Sequence, residues 1–367
     1  VAKKIIISGG GTGGHIYPAI AIANALKEID PTISFLFVGA EGKMEMEKVP
    51  KAGFTIKGLP IAGIKRGSIL KNLSLPFKLL QSLRKAFRII NDFQPDIAIG
   101  VGGYASGPML IAAWLKGIPF VIQEQNSFAG ITNKFLSSKA NKIFVAYSNM
   151  DKFFPKEKLV VLGNPVRKDL IESKNTMAEA AVFFKLNPEI PTILIIGGSQ
   201  GARSINQAIL SGLDKFLSNP CQIIWQTGIH FEKEAQTAVQ NYPQLASYVS
   251  AFIYEMNFAY AMADLVISRA GALSVSEICL AGKASVLVPL PSAAEDHQTQ
   301  NALSLVNQNA TIMVKDKDAK VHLVDTALST LNNNFLLNQL ELSSKKLAKP
   351  EAANEIAHQI LTILSKK

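Results

Sequence analysis

A strand-like run, a glycine turn and a helix-like run follow one another twice in this chain. That restart limits the folds open to it. The first instance is Lys4–Ser8 followed by Gly9-Gly10-Gly11-Thr12-Gly13-Gly14-His15, and the second is Thr192–Ile196 followed by Gly197-Gly198-Ser199-Gln200-Gly201. Apolar runs at 33–38, 96–99, 119–123, 143–145, 222–226, 265–268 and 285–288 also read as strands. Helical patterns lie between them, over about 17–29, up to about 116, and 202–216. Strands spaced by helices of this length indicate βαβ units and a parallel sheet. The repeat is one of layout, not of residues, and 367 residues are enough for two domains. We therefore expect an α/β chain of two Rossmann-like domains facing across a cleft, 1–164 and 165–349. Strand 143–145 is expected to close the first. A final helix within 350–367, with Ile356, Ile360 and Ile363/Leu364 on one face, is expected to pack back on that first domain.

Glycines directly after a strand allow positive φ and close ligand approach. The N–H groups of the helix that follows favour an anion. In open parallel sheets ligands bind beyond the carboxyl ends of the strands. The loops 9–14, 100–108 and 197–201 therefore read as phosphate nests, which need no metal. Tyr104 and Ser106 are polar tips of the second. Gly9-x-Gly11-x-x-Gly14 also fits a dinucleotide fingerprint, but the second strand ends Val38-Gly39-Ala40, and Glu41 comes later than a ribose acid should. His15 directly after a phosphate loop points to chemistry there. The plainer alternatives are tight turns and an ordinary first-turn histidine.

The run Asp264–Glu277 carries the most specific pattern. A strand ends at Ser268, Gly271 turns the chain, and a helix begins near Ala272. Glu277 then falls about one and a half turns inside, where a carboxylate accepts from a ribose diol while the helix start meets a pyrophosphate. The plainer alternative is a glutamate complementing the helix dipole. The polar stretch Ser292–Asn301 is either a sugar contact or a solvated loop that caps the next helix through Asp296. It lacks the regular ligand spacing of a metal site.

Cys221 and Cys279 give neither a disulfide framework nor a CxxC pattern, so a reducing setting is expected. With Lys3–Ser8 as the first strand, no signal peptide is expected ahead of it. No apolar run reaches the roughly 18–20 residues of a membrane span. The net charge of +10 is concentrated: residues 48–91 hold ten Lys/Arg and no Asp or Glu. Ser68–Ile90 reads as mostly helical with a break at Pro76, and interleaves Leu, Ile and Phe with Lys71, Lys78, Arg84, Lys85 and Arg88. That mixture suits an anionic membrane surface. A core helix with a solvated basic face is the alternative. Nucleic acid is not expected, because no binding motif accompanies the charge.

Seven motifs occur together and in order. They are Gly-Gly-Thr-Gly-Gly-His15, Gly-Gly-Tyr104-x-Ser-x-Pro108, Glu124-Gln125-Asn126, Gly163-Asn-Pro-Val-Arg167, Gly-Gly-Ser199-Gln-Gly-Ala202, Ser268-Arg-x-Gly-Ala-Leu-x-Val-Ser-Glu277 and Asp296-His-Gln298-x-x-Asn301. Over most of its length the chain thus resembles the MurG family of cell-wall N-acetylglucosaminyltransferases. The resemblance implies a B-type glycosyltransferase fold. It implies inverting transfer of N-acetylglucosamine from UDP-N-acetylglucosamine to the C4 hydroxyl of undecaprenyl-pyrophosphoryl-N-acetylmuramyl-pentapeptide (lipid I), giving lipid II. It also implies a cytoplasmic enzyme, peripheral on the inner face of the cell membrane.

By the same resemblance Thr12, Gly13, Gly14 and Asn126 meet the donor from the first half. Arg167, Ser199, Ile253, Ala272, Leu273, Ser274, Val275, Ser276, Glu277 and Gln298 hold the UDP-sugar from the second, with Ile253 flanking uracil and Glu277 taking the ribose hydroxyls. Gly102, Gly103 and Tyr104 receive the acceptor. Gln123 departs from the histidine found in many members, so no catalytic role is carried to it. An imidazole suits proton removal near neutral pH, which makes His15 the first candidate base and Glu124 the second. No tightly bound cofactor or metal is expected, and a loosely bound divalent cation stays open. The other activities compatible with the pattern are a UDP-N-acetylglucosamine 2-epimerase, a dinucleotide-dependent oxidoreductase and a non-catalytic nucleotide-binding module.

Overall fold

A computed structural model describes residues 2–61, 75–166, 170, 176–198, 200–293 and 296–365. The chain forms two units, Val1–Arg167 with Lys349–Lys367, and Lys168–Ala348. The first is built on β1 (Lys4–Ser8), β2 (Ser34–Ala40), β3 (Ile56–Leu59), β4 (Ile97–Gly100), β5 (Phe120–Glu124), β6 (Lys142–Val145) and β7 (Leu159–Val161). The second is built on β8 (Thr192–Ile196), β9 (Gln222–Gln226), β10 (Ser247–Ser250), β11 (Leu265–Ser268), β12 (Ala284–Leu287) and β13 (Ile312–Met313). The helices that bear on the sites are α1 (Gly13–Ile29), α2 (Glu45–Lys51), α3 (Leu75–Phe93), α4 (Ser106–Leu115), α5 (Arg203–Ser211), α6 (Ala272–Ala281), α7 (His297–Val306) and α8 (Ala352–Ser365).

The sheet orders are β3-β2-β1-β4-β5-β6-β7 and β10-β9-β8-β11-β12-β13. Every pairing is parallel. Each order reverses beside the first strand of its unit, between β1 and β4 and between β8 and β11, and that switch point is where ligands bind in such sheets. Ser8 pairs with both Val38 and Gly100, so β1 and β4 end level beneath the first glycine loop while β2 runs on to Ala40.

The central strands are covered on both faces, which is why they read as unbroken apolar runs. Ile5, Ile6 and Ile7 are fully buried, as are Ile193, Leu194 and Ile195. The edges are harder to see in the sequence. β3 is Ile-Lys-Gly-Leu and β10 is Ser-Tyr-Val-Ser, short and mixed in polarity, as edge strands are. β6 does not close the first sheet, because β7 follows it as an edge.

Several helix expectations shift. α1 begins at Gly13, four residues before the expected start at 17, so His15 lies inside its first turn. Pro76 is the second described residue of α3, a place where a missing N–H costs nothing, and the residues that would lie ahead of the expected break are outside the described ones. The 202–216 helix divides at Gly212, where an added Cβ would press on Val324 at 2.8 Å. α8 buries Ile356, Ile360 and Leu364 in one apolar cluster with Ile16, Ile22 and Leu26 of α1. Each such side chain contributes about 1.5–3 kcal/mol, which ties the end of the chain to the helix that carries His15.

Candidate active site

In the first unit two glycine loops meet backbone to backbone. Gly10 N–H donates to Gly102 O at 3.3 Å. A Cβ on Gly103 (φ +84°) would collide with the Gly10 carbonyl, and one on Gly9 would stand 2.7 Å from Gly102 O. Glycine is required here by close approach as well as by φ. His15, half-buried, rests its ring on this floor: a Cβ on Gly102 would lie 2.8 Å from Cδ2 and 2.9 Å from Nε2. Its Nδ1 is 3.0 Å from Thr12 Oγ1. The fold thus brings Thr12, Gly13, Gly14, His15, Gly102 and Gly103 together, with Tyr104 half-exposed beside them.

Glu45, at the start of α2, is a functional neighbour that the motifs do not reveal. It is 1% exposed, and its carboxylate accepts from Gly11 N–H at 2.9 Å and from Ala40 N–H at 3.0 Å. Such charge-assisted bonds contribute about 1.5–3 kcal/mol each. The amide of Gly11 is therefore engaged inside the protein. Thr12 makes no capping bond to the first turn of α1. Glu41 is turned toward Lys85 Nζ at 2.7 Å. Glu45 and Glu41 are thus directed to a loop and to a lysine, which weakens the dinucleotide reading further.

Glu124 ends β5 and is 2% exposed. One oxygen accepts from Asn126 N–H (3.1 Å) and Nδ2 (3.3 Å), the other from Gly130 N–H (3.0 Å) and Asn133 Nδ2 (2.9 Å). Burial pushes its carboxyl pKa up, against the lowering effect of those four donors. It braces residues 125–133, and Asn126 is one of the groups it holds. Gln123 joins a buried amide network. Its Nε2 donates to Asn164 Oδ1 at 3.2 Å, Asn164 Nδ2 donates to Gln125 O at 3.0 Å, and Gln125 Nε2 donates to Val101 O at 2.8 Å and to Gln123 Oε1. An amide fits this position because it both donates and accepts.

The second unit uses the same topology with different contacts. Gly201 (φ +76°) and Gly228 (φ +80°) are locked together, since a Cβ on either would collide with backbone of the other's loop. Gln226 at the end of β9 donates to Gly198 O at 3.0 Å and accepts from Ile253 N–H at 2.9 Å. That bond links the glycine loop to Ile253, whose side chain is buried. Gly271, extended, precedes α6 without a capping side chain. Ala272 and Val275 turn inward, while Leu273, Ser274, Ser276 and Glu277 are half-buried. Ser276 Oγ donates to Ala272 O at 2.9 Å, and Glu277 Oε2 accepts from Tyr260 Oη at 3.4 Å.

Two further residues shape this end of the sheet. Asn301, fully buried, donates to Ala270 O at 3.2 Å and fixes the turn before α6. Arg269 is 9% exposed; it donates to Val288 O at 3.0 Å, to Asp316 Oδ1 at 2.5 Å and to Ser204 Oγ at 2.9 Å. It ties the end of β11 to the start of α5. Gln298 Oε1 accepts from Leu290 N–H at 2.9 Å. Asp296 precedes α7 in a left-handed conformation (φ +54°), and Thr299 Oγ1 donates to its carboxylate at 2.6 Å. Arg167 and Ser199 lie outside the described residues.

Of the basic segment, residues 68–74 also lie outside the described residues. The rest forms α3, which buries Ser82, Ala86, Ile89 and Ile90 and leaves Phe77 80%, Leu79 47% and Leu80 49% exposed. Near the end of α4, Trp114 is 42% exposed with Lys139 Nζ 5.1 Å from its ring centre. Among the described residues no helix is long and apolar enough to cross a membrane. Among the same residues no group of three or more His, Cys, Asp or Glu is placed to hold a metal ion.

Residues 5–145 match the glycosyltransferase family 28 N-terminal domain, and residues 192–360 match the family's C-terminal domain. A UDP-N-acetylglucosamine–N-acetylmuramyl-(pentapeptide) pyrophosphoryl-undecaprenol N-acetylglucosamine transferase of Parabacteroides distasonis is 52% identical over 99% of both chains. The transferase of the same name from Phocaeicola vulgatus is 52% identical over 99% of this chain and 97% of its own. The crystal structure of Acinetobacter baumannii MurG superposes with a TM-score of 0.80 at 32% identity, covering 98% of this chain and 99% of that one. A Neisseria meningitidis UDP-GlcNAc 2-epimerase bound to UDP-GlcNAc shares the fold alone, at TM-score 0.66 and 14% identity over 98% of this chain and all of that one. The two matched domains, the two parallel sheets with their loops at the switch points, and identity over nearly the whole length lead to one conclusion: the chain is a glycosyltransferase of family 28 and belongs with the UDP-N-acetylglucosamine–N-acetylmuramyl-(pentapeptide) pyrophosphoryl-undecaprenol N-acetylglucosamine transferases.

Proposed function

We propose that this chain transfers N-acetylglucosamine from UDP-N-acetylglucosamine to the C4 hydroxyl of the N-acetylmuramyl unit of lipid I, with inversion at the anomeric carbon, and so makes lipid II for peptidoglycan. The observation that carries this reading is the 52% identity, end to end, with transferases of that name. The geometry supports it from each unit separately. In the first, an imidazole stands on two fused glycine loops, a place for a base beside a phosphate-bearing acceptor. In the second, the start of α6 and the half-buried Glu277 suit a diphosphate and a ribose.

On this reading His15 takes the proton of the C4 hydroxyl as its oxygen bonds to the anomeric carbon. The bond to the diphosphate oxygen breaks with its electron pair, and UDP departs. A positioned base contributes about a hundred- to ten-thousand-fold. Helix N-termini, loop amides and Arg167 stabilise the growing charge on the leaving group. Thr12, Gly13, Gly14, Asn126, Ser199, Ile253, Ala272 to Glu277 and Gln298 bind the donor; Gly102, Gly103 and Tyr104 bind the acceptor. Glu124, saturated by four donors, fits a brace better than a base. The step needs no tightly bound metal.

The acceptor is a membrane lipid, and we infer that the protein meets it at the cytoplasmic face through Ser68–Ile90. The exposed Phe77, Leu79 and Leu80 beside Lys78 and Arg84 support this, because apolar side chains enter the interface while cations meet anionic headgroups. Each such cation contributes about 1 kcal/mol. Changing Lys71, Lys78, Arg84 and Lys85 to Glu therefore abolishes flotation with anionic vesicles; flotation that survives these changes contradicts an electrostatic surface.

The activity itself is tested by incubating the protein with radiolabelled UDP-N-acetylglucosamine and lipid I. Label moves into the lipid-extractable fraction. Label that stays in water-soluble material, as an epimerase would leave it, overturns the reading.

A further inference from the structure

The first glycine turn of the chain already holds an anion, and that anion belongs to the protein. Glu45 sends its carboxylate into the loop after β1. Oε2 accepts from Gly11 N–H at 2.9 Å, and Oε1 accepts from Ala40 N–H, at the end of β2, at 3.0 Å. Both walls of this seat are glycine. A Cβ on Gly10 would collide with the Glu45 carboxylate, and one on Gly39 would lie 2.5 Å from Glu45 Cγ. Glu45 is 1% exposed. Among the described residues no Lys, Arg or His forms an ion pair with it. Backbone N–H groups hold it instead, as a peptide nest holds an anion.

We propose that Glu45 is a positioning residue: it fills the anion seat of the Gly9–Gly11 turn and so orders the floor on which His15 stands before any substrate arrives. The proposal rests on the reading of His15 as the base. The path from the seat to the ring is short. Glu45 fixes the Gly11 amide. Gly10 N–H donates to Gly102 O at 3.3 Å, and a Cβ on Gly103 would collide with the Gly10 carbonyl. Gly102 lies against the His15 ring, with a Cβ there 2.8 Å from Cδ2. Thr12, next to Gly11, accepts at its carbonyl from His15 N–H at 3.1 Å. The backbone of His15 and the surface under its ring are thus both joined to the seat through residues 10–12. Charge, not bulk, does the holding. A carboxylate offers an acceptor to each N–H, whereas a carboxamide of the same shape offers one oxygen and turns an NH2 toward the other donor. Glu45→Gln therefore keeps the volume and breaks the seat. A misplacement of about 1 Å, even from a change far from the chemistry, lowers turnover by about a hundredfold. A shifted floor is therefore read in kcat more than in UDP binding.

The test uses the full-length protein with UDP-N-acetylglucosamine and lipid I. Glu45→Gln lowers kcat by about ten- to a hundredfold and leaves the calorimetric affinity for UDP within about threefold. Glu45→Ala removes a fragment the size of acetate; its kcat falls likewise and recovers in sodium acetate, while acetamide at the same concentration restores nothing. Hydrogen exchange followed by NMR reads the wild type directly: Gly11 N–H exchanges slowly with no ligand present. An unchanged kcat in Glu45→Gln, an equal loss of UDP affinity, rescue by acetamide as well as by acetate, or fast exchange at Gly11 in the ligand-free wild type overturns the proposal and leaves His15 standing as the base. Undiminished turnover in His15→Ala overturns the base assignment instead, and with it the role given to Glu45.

Discussion

The two units solve one topological problem in two ways. Each places a glycine loop after its first strand, and each loop is pinned by a second glycine. In the first unit the partner is Gly103, after β4, so the two loops beside the switch point fuse into one floor under His15. In the second the partner is Gly228, after β9, on the side away from β11. There the loop is drawn away from the turn that opens α6, and Asn301 and Arg269 set that turn separately. The first unit joins its loops around a titratable ring; the second keeps them apart and offers a carboxylate, Glu277, on the helix between. One strand order thus serves two roles, and what separates them is which neighbour each loop grips.

The glycine pins give the largest effects that would break this comparison. Gly103→Ala and Gly201→Ala each force a Cβ into opposing backbone at positive φ, which costs about 3 kcal/mol. Both variants should unfold at lower denaturant by similar amounts. They should differ in function, with Gly103→Ala losing turnover first and Gly201→Ala losing UDP affinity first. Matching functional losses would erase the division of labour. Next in size is Glu277→Ala. Losing hydrogen bonds to a charged group worth about 1.5–3 kcal/mol raises KM for UDP-N-acetylglucosamine roughly ten- to a hundredfold. kcat stays within about threefold, as expected when uniform binding is removed. A change in kcat alone would put Glu277 in the chemistry.

The smallest effect sharpens the case for Glu124 as a brace. Burial raises its native pKa above the unfolded value. The native state then holds the proton more tightly, so this contribution to stability is complete below the ordinary carboxylate pKa and falls as pH rises through the raised value. Denaturant midpoints from about pH 4 upward should therefore decline more in the wild type than in Glu124→Gln, which cannot ionise. Equal slopes would mean that burial does not tax the carboxylate.

Much of this is legible in the sequence, and the remainder is hidden for definite reasons. The central strands announce themselves because burial on both faces demands continuous Ile, Val and Leu. The glycine loops announce themselves because few other residues tolerate those φ values. The partners of the loops do not. Glu45 lies 34 residues from the Gly11 amide it accepts from, and Asn301 lies 31 from Ala270. Neither distance carries a local pattern. Glu45 has one usable signal, an acid opening a short helix after the second strand, close to where a dinucleotide fold places its ribose acid. β3, β7, β10 and β13 escape because short edges need little apolar surface. The sequence pattern starts α1 four residues late because Gly13, Gly14 and Pro18 read as breakers, whereas packing of Ile16, Ile22 and Leu26 against α8 holds the helix from its first turn.

The central claim is that His15 of the first unit supplies the base while most of the donor-binding residues belong to the second. One paired measurement on His15→Ala tests it: calorimetric affinity for UDP-N-acetylglucosamine beside steady-state transfer to lipid I. The account predicts affinity close to wild type and turnover lower by about a hundred- to ten-thousand-fold. Undiminished turnover with normal donor binding would contradict it.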